Sequence, residues 1–330
     1  MHKTDSADAA GVLYDAIIVG GGPAGLTAAL YLARAKCRVL LVEKGTFGGQ
    51  IALTDEVKNY PGAENISGTA LAETMRRQAD HFGAEFLNAE AENLSFANDI
   101  KTVHTTLGDY RSLTVLLATG ARPRTIGFAG EAEYTGRGVS YCAICDGQLF
   151  KGRDLFVVGG SYVAAEESVF LARFARHVTV LIRRDDFTCA KSVADRAKNH
   201  KKITVLPNTV LDEVSGKNCL QYIRYHNTVS GVVTERRTGD AFGVFVFAGY
   251  APDSVLALTH TPLDEKGYII TDAAQKTEQD GLFAAGDVCQ KALRQVITAA
   301  ADGALAATEM EKYITAFRSS KAHKATPASS

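Results

Sequence analysis

One pattern occurs twice in this chain. Residues 15–44 read DAIIVGGGPAGLTAALYLARAKCRVLLVEK, and residues 154–184 read DLFVVGGSYVAAEESVFLARFARHVTVLIRR. Each is an apolar strand, a glycine turn, a helical pattern and a second apolar strand. A βαβ unit of about 30 residues is the expected size of a nucleotide-binding fingerprint. Such units imply parallel sheet with helices packed on it. The expected fold class is therefore α/β, with two Rossmann-like nucleotide-binding domains.

The order of the remaining signals suggests that the second domain is inserted into the first. GLFAAGDV, residues 281–288, reads as a short strand ending in Gly286 and Asp287, and LRQVITAAADGALAATEMEKYI after it reads as a long helix with Ala-rich, close-packing spacing. We expect a discontinuous first domain, residues 1–123 and 250–330, around a second domain of residues 124–249. The crossovers would be ATGARPR near 118–124 and FAGYAPD near 247–253, each with the Gly and Pro of a linker. Residues 318–330, small and polar toward the end, are expected to be a disordered tail.

Composition narrows the partners. The chain is 46% hydrophobic and 22% charged, as a globular protein is, and its net charge is −1 from 36 basic and 37 acidic residues. That balance points to neither nucleic acid nor an anionic membrane as a partner. The apolar run from Ala16 to Ala33 contains GGGPAG, so it reads as strand, turn and helix and not as a membrane span. MHKTDSADAAGV has no apolar h-region, and the expected location is cytoplasmic.

In the first unit, Gly20-x-Gly22-x-x-Gly25 has a definite division of labour. Gly20 permits the tight turn, Gly22 lets backbone approach a pyrophosphate, and Gly25 lets the helix pack on the strand. The diphosphate then meets free N–H groups at a helix N-terminus. Pro23 and Ala24 complete the first turn, where proline lacks no needed N–H. Glu43, at the end of the second strand, suits a ribose hydroxyl.

Six cysteines are present: Cys37, Cys142, Cys145, Cys189, Cys219 and Cys289. Only Cys142-Ala-Ile-Cys145 forms a close pair. Two intervening residues let the sulfurs interchange between dithiol and disulfide. A zinc site needs more ligands, there is no second CxxC, and the histidines are dispersed, so no metal is expected. Asp146 could exchange a proton with a thiolate or simply serve the turn. The other four cysteines read as small buried or half-buried residues.

GGGPAG, GGQIALTDEVKNYPG, LATGARPR, CAICDG, GGSYVAAEE, GLFAAGDV and LRQVITAAADGALAA occur in an order that resembles the low-molecular-weight bacterial thioredoxin reductases, from about residue 13 to 316. The resemblance implies an FAD-dependent pyridine nucleotide-disulfide oxidoreductase, commonly a homodimer. It implies FAD binding by Gly20, Gly22, Gly25, Glu43, Gln50 with Gly49, Asn59, Thr119, Gly120, Asp287 with Gly286, Arg294 and Gln295. The inserted domain would bind NADPH (or NADH) and carry the disulfide. Cys145 would face the flavin, Cys142 would attack the disulfide of thioredoxin or a thioredoxin-like protein, and Asp146 would move the proton. It also implies rotation of the inserted domain, with Gly120 and Gly249 near the hinges.

Two departures from that family pattern bear on the donor. Its second fingerprint, usually GxGxxA, reads here Gly159-x-Ser161-x-x-Ala164, and a serine Cβ crowds the diphosphate unless its hydroxyl supplies a hydrogen bond. The basic motif for a 2′-phosphate keeps Arg183 and Arg184, but Ile182 and Thr188 occupy its other positions. Three alternatives stay open on the residues: a reduced ferredoxin as donor, a peroxiredoxin- or glutaredoxin-linked system as acceptor, and a non-enzymatic flavin redox sensor.

Overall fold

We analysed a computed structural model, which describes residues 12–325 apart from 55, 65 and 98. The described residues form two compact units that exchange chain at 122/123 and 250/251. The first stretch holds β1 (Leu13–Val19), α1 (Pro23–Arg34), β2 (Val39–Glu43), α2 (Gly68–His81), β3 (Glu85–Asn88), β4 (Ala91–Ala97), β5 (Ile100–Thr105), β6 (Gly108–Leu117) and β7 (Ala121–Pro123). The middle unit follows with α3 (Glu131–Tyr134), β8 (Val139–Ser140), α4 (Ala143–Asp146), β9 (Asp154–Val158), α5 (Tyr162–Leu171) and β10 (His177–Leu181). It continues through α6 (Lys191–Lys198), β11 (Ile203–Leu206), β12 (Thr209–Ser215), β13 (Leu220–Asn227) and β14 (Val233–Val246), and β15 (Tyr250–Pro252) carries the chain across the boundary at 250/251. The chain then completes the first unit with β16 (Leu282–Ala284) and α7 (Val296–Ala325).

Both sheets obey one plan. In the first, the order is β3-β2-β1-β6-β5-β4, with β16 on β6. In the second, it is β11-β10-β9-β14-β13-β12, with β8 on β14. The strands of each βαβ pattern run parallel, and each sheet closes with an antiparallel meander. The parallel strands are apolar on both faces because both faces are covered, as β1 shows with Ala16, Ile17 and Ile18 fully buried. The meanders escape the sequence reading because their alternation is broken by polar residues on a half-solvated face, as in β4 with Leu94 its one buried position.

Register sets the working edge of each sheet. Val19 pairs with Val42 on one side and Leu117 on the other, and Ala284 pairs with Leu117. The carboxyl ends of β1, β2, β6 and β16 are therefore level, at the point where strand order reverses, which is where open α/β sheets bind ligands. In the second sheet Val158 pairs with Leu181 and Val246, while Ser140 pairs with Phe245. The glycine turn after β9 and the segment after β8 thus leave one edge from opposite flanks of β14.

One expectation needs correction. The tail expected from residue 318 is helical as far as Ala325, because α7 continues. Arg318 reaches the largely buried carboxylate of Asp15 at 2.5 Å, and Lys321 pairs with Asp99 at 2.8 Å. These contacts tie the last turns to the sheet, which a reading of local composition does not register. Residues 326–330 lie outside the described residues.

Close packing of α7 on α1 depends on Gly303. A Cβ there would lie 2.1 Å from the Ala24 carbonyl oxygen, a backbone atom that cannot swing aside. Gly303→Val is expected to cost about 1–3 kcal/mol or more through overpacking and to move α1 at the glycine turn. Gly239→Ala, with nothing within 4 Å of the added carbon, should stay within about 0.5 kcal/mol of the parent. Thermal unfolding of both variants checks this, and a Gly303→Val protein as stable as the parent contradicts it.

Candidate active site

In the first unit the glycine turn is built by contact. A Cβ at Gly20, whose φ is +111°, would lie 2.3 Å from the Ala118 oxygen, and one at Gly25 would lie 1.9 Å from the Gly20 oxygen. Both positions therefore exclude any side chain. A Cβ at Gly22 would meet nothing within 4 Å, and Gly22 caps α1 with no side-chain hydrogen bond. Pro23 opens the helix and Ala24 is buried beneath it. The space in front of the α1 N-terminus at Gly22 is thus left open, where an anion is favoured.

Glu43 ends β2 and takes N–H donors from Gly21 and Gly45, each at 2.7 Å. Gly48 donates to the Gly21 oxygen at 2.7 Å, and Gly49 stacks against Gly22, with Gln50 exposed beside it. Asn59 and Gln295, far apart in sequence, join by a 2.9 Å hydrogen bond. Thr119 and Gly120 follow β6, and both bond to the backbone of Asp253. Gly286, at φ +83°, follows β16 and leaves no room for a Cβ, which would meet the Ala24 methyl at 2.8 Å. Arg294 donates to the carbonyls of Asp287, Lys291 and Cys289 and lies 4.0 Å above the Tyr268 ring.

Asp287 is the chemically telling residue. Its Oδ1 is buried and has no hydrogen-bond partner among the described residues. Burial pushes its carboxyl pKa up, although Lys291 and Arg294 pull the other way. A buried, unpartnered carboxylate oxygen is costly. A hydroxyl donor such as a polyol would satisfy it, so these residues fit a flavin dinucleotide.

The second glycine turn is tighter. Gly159 has φ +151°, and a Cβ on it would lie 2.8 Å from the Phe247 oxygen. Ser161 caps α5 by accepting the N–H of Ala164 at 3.4 Å. Arg183 and Arg184 are exposed and make no ion pair among the described residues. Thr188 bonds back to the Gly160 carbonyl through both its N–H, at 2.7 Å, and its hydroxyl, at 3.1 Å.

Cys142 and Cys145 are joined as a disulfide with Cα atoms 5.3 Å apart. Cys142 is the N-cap of α4, and both cysteines are half-buried. Ser140 organises the loop. Its hydroxyl donates to Asp146 Oδ2 at 2.6 Å and accepts the Cys142 N–H at 3.1 Å. Asp146 is thereby held beside the pair, a turn residue and a candidate proton carrier at once. Sequence reasoning passed over Ser140, though its place two residues before Cys142 was a usable signal. It also passed over Asp302, whose Oδ2 takes the Gly286 N–H at 3.1 Å and pairs with Lys291. That long-range contact leaves no local pattern.

The family profile described as pyridine nucleotide-disulphide oxidoreductase matches residues 14–303, which include both glycine turns and the cysteine pair. The chain belongs to that family. Within it, the chain is 45% identical over 308 residues to a thioredoxin reductase of Peptoclostridium acidaminophilum, covering 92% of this chain and 98% of the relative. It is 42% identical to a bifunctional thioredoxin reductase/thioredoxin of Mycobacterium leprae, covering 99% of this chain and 71% of the relative. The crystal structure of thioredoxin reductase from Streptococcus pyogenes superimposes with a TM-score of 0.88 at 40% identity, covering 92% of this chain and 99% of that one. The protein is thus a disulfide oxidoreductase of the thioredoxin reductase group, and membership implies a flavin and a pyridine nucleotide.

In this oxidoreductase the remaining cysteines stand apart from the chemistry. Cys37, Cys189 and Cys219 are half-buried free thiols and Cys289 is buried. Burial pushes Cys289 up to about 12 and Cys37 up to about 11. Since thiolate is the reactive form, burial holds Cys289 and Cys37 in the unreactive thiol form. After reduction, iodoacetamide at pH 8 should label Cys142 or Cys145 at least about tenfold faster than Cys289 or Cys37. Peptide mass spectrometry reads the order, and early labelling of Cys289 contradicts it.

Proposed function

We propose that this protein takes electrons from NADPH (or NADH), holds FAD, and reduces thioredoxin or a thioredoxin-like protein through the Cys142–Cys145 pair. The observation that carries the reading is a disulfide at the carboxyl edge of a nucleotide-binding sheet, with a carboxylate held beside it. The names of the relatives support the choice of acceptor.

Bound FAD supplies a two-electron relay between a reduced nicotinamide and a disulfide. In the first unit, Gly20, Gly22, Pro23, Ala24 and Gly25 would present backbone to its diphosphate and Glu43 would accept from its ribose. Asp287, behind Gly286, would accept from a hydroxyl of its polyol. Gly49, Gln50, Asn59, Thr119, Gly120, Arg294 and Gln295 would line the same site. In the second unit, the turn from Gly159 to Ala164, with Ser161 at its N-cap, would face the donor's diphosphate, and Arg183 and Arg184 would read a 2′-phosphate through charge-assisted hydrogen bonds.

The cysteines then perform ordinary thiol–disulfide exchange. The Cys142 thiolate attacks one sulfur of the partner's disulfide and expels the other as thiolate, leaving a mixed disulfide. The Cys145 thiolate attacks Cys142 Sγ, which expels the partner's second sulfur and restores the Cys142–Cys145 bond. Asp146 carries the protons that interconvert thiol and thiolate. Ser140 keeps its carboxylate against the loop throughout.

A homodimer is part of the proposal. The first unit has a groove of about 630 Å³ lined by Leu26, Leu30, Tyr31, Tyr60, Ile297 and Ala301, with Tyr31 45% and Ile297 42% exposed. A second copy would cover it, and sedimentation velocity returning a monomer would contradict this. We also place the protein in the cytoplasm, which cell fractionation tests. No helix among the described residues is long and apolar enough to cross a membrane.

Cys142→Ser and Cys145→Ser should each abolish reduction of a protein disulfide by at least about a thousandfold, because every electron leaving the enzyme crosses the pair. Bleaching of the flavin by the donor should survive in both. Cys189→Ser should keep near-normal turnover. Retained turnover in either variant of the pair rules out the proposed route.

A further inference from the structure

The two glycine turns of this molecule can be compared position for position. Gly22 has φ −77° and ψ −175°, and Ser161 has φ −83° and ψ 174°. Each is the N-cap of the helix that follows the first strand of its βαβ pattern. Their backbones are superimposable at that residue, so their Cβ directions correspond. At Gly22 a Cβ would enter open space in front of α1. At Ser161 the Cβ is present in front of α5, and its Oγ turns back to the Ala164 N–H.

The consequences differ for the two helices. At α1 the N-cap is a glycine, which offers no side chain to the N-terminal donors. At α5 one donor is taken by the chain itself, and two atoms stand where a diphosphate would approach. Thr188 adds to this closure, since its hydroxyl bonds to Gly160 and not outward. The cations at the far end are unaffected, for Arg183 and Arg184 are exposed and unpaired by any carboxylate among the described residues.

We propose that Ser161 limits how tightly this chain holds its dinucleotide donor, acting at the diphosphate and independently of the 2′ position. The inference rests on the donor reading given above. Of the two obstacles, the Cβ is the stronger. The Ser161–Ala164 bond is long at 3.4 Å, so the hydroxyl gives way readily to a better acceptor. The Cβ cannot rotate away, because the backbone fixes its direction. Ser161 is thus an affinity-determining residue, and Arg183 with Arg184 determine selectivity.

Glycine and alanine separate the two obstacles. Serine to glycine at an N-cap changes stability only slightly, so the glycine variant should fold. Holoprotein of each form is titrated with NADP⁺ and with NAD⁺ by isothermal calorimetry. Oxidised dinucleotides report binding without turnover. Ser161→Gly should lower Kd for both by about tenfold, the scale of one recovered charge-assisted contact, with their ratio unchanged. Ser161→Ala should stay within about threefold of the parent. Arg183→Ala with Arg184→Ala should weaken NADP⁺ and leave NAD⁺ alone. In kinetics Ser161→Gly should lower KM for both donors and leave kcat unchanged. An unchanged Kd in Ser161→Gly, where the parent binds measurably, overturns the inference and leaves the donor reading standing. A gain for one dinucleotide only, or an equal gain in Ser161→Ala, overturns it as well. Binding of neither dinucleotide by parent or Ser161→Gly overturns the donor reading, and the inference with it.

Discussion

Gly25 sits so close to the Gly20 carbonyl that a Cβ on it would come within 1.9 Å of the oxygen. That approach lets α1 begin directly above the end of β1. The helix N-terminus then opens at the carboxyl edge of the sheet, level with the ends of β2, β6 and β16. Other contacts hang on it. Gly303 of α7 packs onto the carbonyl of Ala24, and Gly286 packs against the Ala24 methyl. This backbone contact thus helps to fix where Asp287, whose buried Oδ1 has no partner among the described residues, meets the turn. Side-chain chemistry at the site follows from this backbone geometry.

The two units solve the same topological problem and put different chemistry in the same place. In each, a short parallel strand joins the central strand on the flank away from the glycine turn. In the first unit that strand is β16, and it delivers Asp287. In the second it is β8, and it delivers Ser140, Cys142 and Cys145. The repeated fold therefore offers two equivalent positions, one occupied by a buried carboxylate and one by a cysteine pair. The two glycine turns also differ at their helix N-caps. Gly22 leaves its helix end open, and Ser161 closes its own.

Legibility in the sequence followed the range of each interaction. The βαβ units were readable because strand, turn and helix are contiguous and their apolar periods are strong. The glycines at 20, 22 and 25 were readable because each removes a side chain for a different local reason. The cysteine pair was readable from spacing alone, and the disulfide is present. What escaped depends on contacts between distant segments. Asp302 takes the Gly286 N–H across a turn and a helix, and the end of α7 is held by Asp15 from the other end of the chain. The meander strands escaped because a sheet face half open to water does not enforce alternation. For Ser161 the residue was legible and its behaviour was not, since only coordinates show the direction its hydroxyl takes.

The central claim is that two redox centres, a flavin and the Cys142–Cys145 disulfide, share the electrons of one nicotinamide donor. An anaerobic titration of the purified holoprotein with NADPH counts them directly. The account predicts uptake of about four electrons per chain, two for each centre, with thiol mapping by mass spectrometry locating the new thiols at Cys142 and Cys145 alone. Uptake of about two electrons, with the flavin bleached and the disulfide intact, would contradict it.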